Sequence, residues 1–257
     1  MSQVTLPPSS QVPEQAPRPS FWQSIMGKYI RPAIVLTVLL TILTGLLYPA
    51  VITGLAQLIF PYQANGSLIT VNGKVVGSAL IGQYWTSSKY FHGRPSATVN
   101  PSTGTPSPYE ADNSTASNLG PTSSSLVNGN GTTVTIAKGT PVPANATPVP
   151  GQKNTYYVPG AYLGVKNYAQ QFRQENGLAP NTPLPADIVT ASGSGLDPDI
   201  SIEAAQLQVN RVARVRGMSP AAVQQIVNNN IHGRFLGIFG EPYVNVLELN
   251  LALDGQK

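Results

Sequence analysis

The residues whose types could do chemistry in this chain are two histidines and one pair of aspartates. His92 and His232 each begin a His-Gly-Arg triplet, and Asp197 and Asp199 lie two positions apart just before a predicted helix. Paired carboxylates can act as acid and base or hold a cation, whereas aspartates before a helix more often cap it and favour its dipole. We therefore predict that Asp197 and Asp199 cap the helix that follows Ser201, and that both histidines are structural.

The two triplets end in arginines, Arg94 and Arg234. We expect these arginines to pair with carboxylates and so to serve folding or an interface, with Glu241 as a candidate partner. The turn Gly193-Ser194-Gly195 lacks the G-x-x-x-x-G-K-[ST] pattern that cradles phosphates. It therefore predicts a flexible segment that leads to the helix at Ser201.

Motifs of the familiar catalytic classes are absent from the sequence. There is no H-E-x-x-H, no G-x-S-x-G and no S-x-x-K. The chain has no cysteine, which excludes disulfides, thiolate nucleophiles and most zinc sites, and only two histidines, which disfavours an imidazole-rich metal site. We predict no catalytic residue and no cofactor or metal ion bound directly by this chain.

Charge is sparse and scattered. Charged residues make up 10% of the chain and the net charge is +4, with a single basic cluster at Arg211, Arg214 and Arg216. Three arginines on one helix more often form a solvated face than a phosphate-binding patch. We therefore expect a solvated face at this cluster and no nucleic-acid partner.

An uncharged run dominates the N-terminal quarter. No residue from Pro32 to Phe60 is charged, and a bilayer core needs only about 20 apolar residues in helical form. The run predicts one transmembrane helix over residues 28–61. Pro49 is expected to kink this helix or to mark its emergence from the bilayer.

The flanks of the run predict its orientation. Arg18, Lys28 and Arg31 precede the span, and the next basic residue after it is Lys74. The excess of positive charge predicts a cytoplasmic N-terminus and an extracytoplasmic C-terminal domain. The proline-rich residues 1–27 are expected to form a disordered cytoplasmic tail. Small residues within the span, such as Gly45 and Gly54, either let other helices pack closely or are simply common in membrane helices.

The remainder, residues 62–257, predicts a small α+β domain. Asn72-Gly73 predicts a hairpin between strands at 68–71 and 74–76. Residues 122–158 read as a long low-complexity insertion with one short strand at 132–136. Helices are predicted over 161–176, from Ser201 to Arg216 and from Ser219 to about Asn230, and the alternation of residues 243–253 predicts a half-buried strand.

Four strings, taken in order, resemble the C subunit of the bacterial Kdp potassium-transporting ATPase. They cover about two thirds of the chain: residues 31–57, residues 63–97 with Tyr90-Phe-His-Gly-Arg-Pro-Ser-Ala97, Ser117-Asn-Leu-Gly-Pro121, and residues 185–254 with Gly240-Glu-Pro242. The chain departs from the family where Asp199 replaces a usual His, where Ile202 replaces a usual Pro, and where Thr115-Ala116 replaces Gly-Gly. These departures argue against a strict chemical role at those positions.

The resemblance implies a non-catalytic accessory subunit of an ATP-driven, high-affinity potassium import complex of the cell inner membrane. Its partners would be the channel-like potassium-translocating subunit and the catalytic P-type ATPase subunit, in a complex that uses ATP, magnesium and potassium. The family is described as assembling that complex and raising the ATP affinity of the catalytic subunit. With the domain outside the cytoplasm, any such effect would be indirect. Candidate interface residues are Gly45, Gly54, Arg94, Asn118, Asp197, Arg234 and Glu241.

Two other classes stay open at this point. A membrane-anchored extracytoplasmic hydrolase would need a nucleophile with a base or a metal site. A solute-binding module would need a ligand site in the domain.

Overall fold

The computed structural model describes residues 20–136, 146–148, 152–158 and 160–256. The chain divides into two compact units, Met1–Ala64 and Asn65–Lys257. Most of the tail predicted over residues 1–27 lies outside the described residues. Within that range helical structure already begins at Phe21.

The first unit contains the uncharged run as one helical rod. Its parts are α1 (Phe21–Ile25), a π-helical turn (Met26–Ile30), α2 (Arg31–Ile42), a second π-helical turn (Leu43–Leu47), α3 (Tyr48–Ile59) and a short α4 (Pro61–Ala64). The stretch Met26–Ile59 has 34 residues and is long and apolar enough to cross a membrane. At about 1.5 Å per residue it exceeds the roughly 30 Å of a bilayer core.

The two π-helical turns accommodate the prolines of this rod. Pro32 and Pro49 each lie at the start of the α-helical segment that follows a π-helical turn. The amide of Arg31 donates to the carbonyl of Met26, and that of Tyr48 to the carbonyl of Leu43, five residues back in both cases. A proline lacks an amide and crowds the carbonyl four residues earlier, so a wider turn relieves the conflict. The helix therefore continues past Pro49 to Ile59.

The second unit begins with the hairpin that Asn72-Gly73 predicts. β1 (Leu68–Val71) pairs antiparallel with β2 (Lys74–Ser78), and both turn residues have positive φ, 50° and 75°. Asparagine and glycine tolerate this conformation best, which explains why the sequence signal was strong. The prediction of this hairpin is confirmed.

Three predicted helices are present with the expected stops. α6 (Val165–Asn176) ends at Gly177 and α7 (Ile202–Arg216) ends at Gly217, both glycines with left-handed φ. Ser201 and Ser219 cap α7 and α8 (Pro220–Asn229), accepting hydrogen bonds from the amides of Ala204 and Ala222. α6 begins four residues later than predicted, because the chain at Gly164 has φ 91° and is not helical.

The prediction of one strand over residues 243–253 is wrong for most of its length. β8 (Tyr243–Asn245) is followed directly by α9 (Val246–Leu253), and the Asn245 side chain caps this helix by accepting from the amide of Glu248. Six of the eight residues of α9 are buried. A helix buried on nearly all sides shows no 3.6-residue period, so the alternating leucines imitated a strand.

The core of this unit lies between helices and a small antiparallel sheet. β8 is the central strand, between β6 (Asp199–Ser201) and β7 (Ile231–His232). Side chains of α6, α7, α8 and α9 pack with this sheet around Ile200, Val212 and Leu249. The sheet and helices together give the α+β class that was predicted.

The stretch 122–158 contains more structure than the single predicted strand. α5 (Ser124–Asn128) precedes a three-stranded sheet in which β5 (Thr155–Val158) lies between β3 (Thr132–Thr135) and β4 (Thr147–Pro148). The amide of Asn130 donates to the carbonyl of Tyr162 at 3.0 Å, which ties the start of this stretch to the domain. The predicted strand at 132–136 is confirmed as β3.

Candidate functional site

Polar side chains of α7 and α9 hold the segment that carries the first His-Gly-Arg triplet. Gln208 accepts from the His92 amide at 2.8 Å and donates to the His92 carbonyl at 3.1 Å. Asn250 does the same for Phe91, at 2.9 and 3.0 Å. Gln208 and Asn250 are fully buried, and each side-chain amide both accepts from and donates to the backbone of this segment; Gln208 also donates to the Ala204 carbonyl at 3.2 Å. The backbone of residues 91–92 is therefore fixed from two helices.

Arg211 belongs to the same buried network, contrary to the prediction of a solvated arginine face. Its side chain is 2% exposed and donates to Asn176 Oδ1, to the carbonyls of Ser88 and Tyr90, and to Gln208 Oε1. Burial lowers the pKa of its guanidinium. Carbonyl and amide oxygens satisfy this buried cation, so its role is structural.

Arg216 ties the same segment to the end of α9. Its guanidinium donates to Asp254 Oδ1 at 2.8 Å and to the carbonyls of Lys89 and Leu253, and it stacks 4.9 Å from the Tyr90 ring. Burial alone would raise the pKa of Asp254, but hydrogen bonds from Arg216 and Tyr90 and the nearby positive charges together hold it below its usual value. Of the predicted arginine face, two of three residues therefore make structural contacts.

A cavity of about 490 Å³ lies beside the segment fixed in this way. Its polar side chains include those of His92, Arg94 and Glu175, and five aromatic residues contribute to its walls: Tyr84, Trp85, Tyr109, Tyr168 and Phe172. Burial raises the pKa of Tyr168 to about 12 and raises that of Tyr109 further, so both phenols are neutral. The Tyr168 hydroxyl accepts from the Leu163 amide, and the Tyr109 hydroxyl is a donor. The volume lies in the range of small-molecule sites.

His92, in the cavity wall, has an oxygen partner at each of its ring nitrogens. His92 Nδ1 is 3.4 Å from Glu175 Oε2, and His92 Nε2 is 3.1 Å from the carbonyl of Ser87. The hydrogen bond from His92 lowers the pKa of Glu175. Because both ring nitrogens face acceptor oxygens, this histidine is not arranged to activate a hydroxyl nucleophile. Trp85 Nε1 and Arg94 Nε are buried without a hydrogen-bond partner among the described residues.

Arg94 and Asp197 form the ion pair at the edge of the cavity. Arg94 Nη1 donates to Asp197 Oδ2 at 2.8 Å, and both side chains are mostly buried, with exposed fractions of 23% and 29%. The Tyr109 hydroxyl donates to the carbonyl of Arg94 at 2.9 Å. The expectation that Arg94 pairs with a carboxylate is met, although the partner is not Glu241.

The prediction that Asp197 and Asp199 cap α7 is wrong. Ser201 caps the helix itself, and Asp187 accepts from the Ser201 amide at 2.6 Å. Asp197 Oδ1 instead accepts from the Asp199 amide at 3.0 Å, and Asp199 lies in β6, where it accepts from Asn245 at 3.1 Å. Burial, with the nearby Asp197 carboxylate, raises the pKa of Asp199 to about 6.

The predicted flexibility of Gly193-Ser194-Gly195 is not what the structure has. The Ser194 carbonyl accepts from the Thr115 amide and from the Ser114 hydroxyl, both at 3.0 Å. Gly195 has φ 70°, and a Cβ there would lie 2.6 Å from the carbonyl oxygen of Thr115. The turn is packed against residues 114–115, and this close approach is the reason for glycine at position 195.

The other predicted interface residues are Arg234 and Glu241, Asn118, and the two glycines of the helical rod. Arg234 donates to Glu241 Oε2 at 2.7 Å in an exposed loop, as expected for Glu241. Asn118 is exposed with φ 53°, a conformation that asparagine tolerates. Gly45 and Gly54 lie on the N-terminal helical rod, where an added Cβ would meet no atom closer than 4.0 Å.

Sequence reasoning missed the residues that organise the site. Gln208, Arg211 and Asn250 are polar residues on helices that also carry the core, and no local pattern distinguishes them from solvent-facing polar residues. Within the described residues, no group of three or more His, Cys, Asp or Glu side chains is placed to hold a metal ion.

Comparison with known proteins identifies relatives along nearly the whole chain. The profile of the family described as K+-transporting ATPase, c chain, matches residues 30–155 and 151–255. A protein of Bradyrhizobium diazoefficiens, named potassium-transporting ATPase KdpC subunit, is 49% identical over 234 residues, which cover 89% of this chain and 98% of the relative. Proteins of the same name from Rhodopseudomonas palustris (strain BisB5) and Methylobacterium nodulans are 47% and 45% identical, with the same coverage of both chains.

Proposed function

The chain belongs to the family of the c chain of K+-transporting ATPases, and we propose that it is a non-catalytic accessory subunit that assembles and stabilises such a potassium import complex. Its partners in this proposal are the channel-like potassium-translocating subunit and the catalytic P-type ATPase subunit. The observation that carries the proposal is the 49% identity to a KdpC subunit over 98% of that relative's length.

The engagement of the polar side chains supports a role without chemistry. Arg94 is paired with Asp197, His92 with Glu175 and a carbonyl, and Arg211 with carbonyl and amide oxygens. A catalytic group needs a geometry in which it reaches the reacting atoms, with a nucleophile beside a base or an open metal position. These side chains instead form hydrogen bonds and ion pairs with other groups of the same domain.

The proposed placement is a single span in the cell inner membrane with the N-terminus in the cytoplasm and the second unit outside. The length and apolar character of Met26–Ile59 support the span. The basic residues Lys28 and Arg31 at its start, and the lack of basic residues between Phe60 and Lys74, support the orientation.

Any effect of this subunit on ATP affinity is proposed to be indirect. A domain outside the cytoplasm cannot touch the nucleotide, so it would act by favouring one conformation of its partners. The apolar helical rod is the proposed route, because it would share the bilayer with the helices of the partner subunits.

The proposal is tested by comparing assembly with turnover when the chain is coexpressed with its partner subunits. Asp197→Ala and His92→Ala should lower potassium-dependent ATPase activity only as far as they lower the amount of complex that co-purifies. Turnover per assembled complex should therefore stay within about twofold of the parent, far less than the 10²-fold or greater loss typical of removing a catalytic group. A variant that assembles fully and has lost nearly all turnover would contradict the non-catalytic role.

The contribution of the span is tested by one bulky change with a matched control. Gly45→Leu should weaken co-purification because it obstructs close helix contact. Ala50→Leu adds leucine on a different side of the rod and should assemble like the parent. Equal losses in both variants would argue against a specific contact at Gly45.

A further inference from the structure

Four large apolar side chains protrude from the loop between β7 and β8. We call residues 235–239 the apolar tip; the exposed fractions of its large side chains are Phe235 72%, Leu236 74%, Ile238 73% and Phe239 61%. Nowhere else in the described part of the second unit do four exposed large apolar residues fall within five positions. Contiguous exposed apolar surface of this kind marks a binding surface, whereas single exposed residues need no explanation.

Four of the five backbone amides of the apolar tip donate hydrogen bonds within the loop. The Phe235 amide donates to the Phe239 carbonyl and the Phe239 amide to the Phe235 carbonyl, both at 2.9 Å. The Gly237 and Ile238 amides donate to the carbonyls of Arg234 and Phe235, at 3.0 and 3.2 Å. An unpaired amide is costly away from water, so a loop that closes its own amides is suited to apolar surroundings.

The turn also holds Leu236 outward at some conformational cost. Leu236 has φ 53°, and Gly237 follows with φ 75°. A leucine in the left-handed region is disfavoured by the clash of its Cβ with the backbone, and such strain is found where it serves a function. Here the strained residue is the most exposed side chain of the apolar tip.

Charged groups lie only at the base of the loop. Arg234 and Glu241 form an ion pair at 2.7 Å and are well exposed, with exposed side-chain fractions of 45% and 81%. Between them the sequence is Phe-Leu-Gly-Ile-Phe-Gly, with no polar side chain. Protein interfaces usually combine an apolar centre with side-chain hydrogen bonds, and the apolar tip has none to offer. An apolar end with charged groups at its base instead matches the change from hydrocarbon to headgroups at a bilayer surface.

The chain itself keeps a bilayer within reach of the second unit. The membrane-length helix ends at Ile59 and β1 begins at Leu68, so eight residues join them. Such a segment extends to about 30 Å at most. A tether this short keeps the effective concentration of lipid surface high, so even modest apolar burial suffices for insertion.

We propose that the apolar tip inserts into the interfacial region of the bilayer that holds the chain's own helix, and so fixes the second unit against the membrane. The occupant of this surface is lipid, with the acyl-chain boundary around Phe235, Leu236, Ile238 and Phe239 and the headgroups around Arg234. The inference rests on the proposed anchoring of the chain by its span.

The test uses the lack of cysteine in the full chain, because each single substitution then gives one labelling site. Leu236→Cys and Ile238→Cys report on the apolar tip, Leu40→Cys on the span, and Val215→Cys on an exposed apolar position of α7. Each variant is labelled with an environment-sensitive fluorophore and reconstituted in phosphatidylethanolamine and phosphatidylglycerol vesicles that contain nitroxide-labelled lipid. The measurement is made on the chain alone and on the complex with its partner subunits.

Labels at 236 and 238 should be quenched by shallow nitroxides at least twofold more than the label at 215, both alone and in the complex. The label at 40 should be quenched by deep nitroxides. If 40 is quenched and 236 and 238 are not, the tip does not insert, although the anchoring stands. If 236 and 238 lose lipid contact in the complex, the apolar tip binds a partner protein and the proposal is overturned. If 40 is not quenched either, the anchoring and the insertion fail together.

Discussion

The ionisation of Asp199 is the clearest link between one residue and the stability of the second unit. Burial and the Asp197 carboxylate raise the pKa of Asp199 to about 6, while a hydrogen bond from Asn245 opposes that rise. An unfolded aspartate has a pKa near 4. Between about pH 4 and pH 6 the folded state therefore holds a proton that the unfolded state has lost, so stability falls as pH rises through this window.

Asp199→Asn should therefore stabilise the protein at neutral pH. The asparagine keeps an acceptor oxygen for Asn245 and removes the charge that burial disfavours. We expect its thermal midpoint to exceed that of the parent by several degrees at pH 7.5, and the difference to shrink below pH 6 and to vanish near pH 4. The measurement is tryptophan fluorescence, from Trp22 and Trp85, during thermal unfolding of the full chain in mild detergent.

A matched change of an exposed carboxylate serves as the control. Glu241→Gln removes the 81%-exposed member of a surface ion pair, which is expected to change stability by about 0–1 kcal/mol. Its difference from the parent should stay small at every pH. A gain for Asp199→Asn that is the same at pH 4 and pH 7.5 would show that the charge of Asp199 is not its cause.

The arginine pairs show what single residues reveal in a sequence. That Arg94 and Arg234 would take carboxylate partners was predictable, because a guanidinium forms charge-assisted hydrogen bonds with carboxylates. The partner of Arg234 lies seven positions away and was found. The partner of Arg94 lies 103 positions away, and only the fold brings the two together.

At the scale of elements, turn, cap and stop residues predicted the ends of helices and strands correctly. The hydrophobic pattern predicted the wrong element where nearly every residue is buried. Asn72-Gly73, the Ser219-Pro220 start and the Gly177 and Gly217 stops each act through their own backbone preferences, and each lies where it was expected. α9 has no helical period in its sequence, because six of its eight residues are buried and lie on nearly all its sides. Only the cap at Asn245 distinguishes it from a strand, and asparagine is common in turns as well.

The structure narrows the segment that should be dispensable within 122–158. Thr132 is directly opposite Val158 in the β3–β5 pair, so the two ends of this sub-segment are adjacent. Replacing residues 132–158 with a linker of about four Gly and Ser residues closes the same gap, and loop length itself costs little. We expect the thermal midpoint and the co-purification with partner subunits to be unchanged within error.

Extending the replacement back to residue 122 should destabilise the fold. Tyr162 is fully buried, and its amide and hydroxyl donate to Asn130 Oδ1 at 3.0 Å and to the Leu126 carbonyl at 3.3 Å. Loss of these partners and of the cover that α5 provides should cost about 2–5 kcal/mol of unfolding free energy. Equal stability of the long and short replacements would mean that residues 122–131 do not support Tyr162.

At the scale of the whole molecule, the two units differ in how they are stabilised. The first unit is a helical rod with no buried residue in α2 or α3, so its apolar surface needs lipid or other helices. The second unit has its own core and its own buried hydrogen-bond network. A membrane-anchored domain needs a helix that is stabilised by its surroundings and a domain that is stabilised by its own core. The uncharged run was sufficient to predict the first of these.

Orientation is the property of the whole chain that its charge pattern should decide. Arg18, Lys28 and Arg31 precede the span, whereas the 13 residues from Pro61 to Gly73 carry no basic side chain. Basic residues near the end of a span are retained in the cytoplasm, so the N-terminus should stay inside. A reporter that is active only in the cytoplasm should therefore be silent when fused after Lys257 and active when fused before Met1.

Replacing Arg18, Lys28 and Arg31 with glutamine removes the bias without adding charge, and the signal from the C-terminal fusion should then rise severalfold. A strong signal from the C-terminal fusion of the parent chain would place the second unit in the cytoplasm. The second unit could then contact ATP directly, and the proposal of an indirect effect would lose its basis.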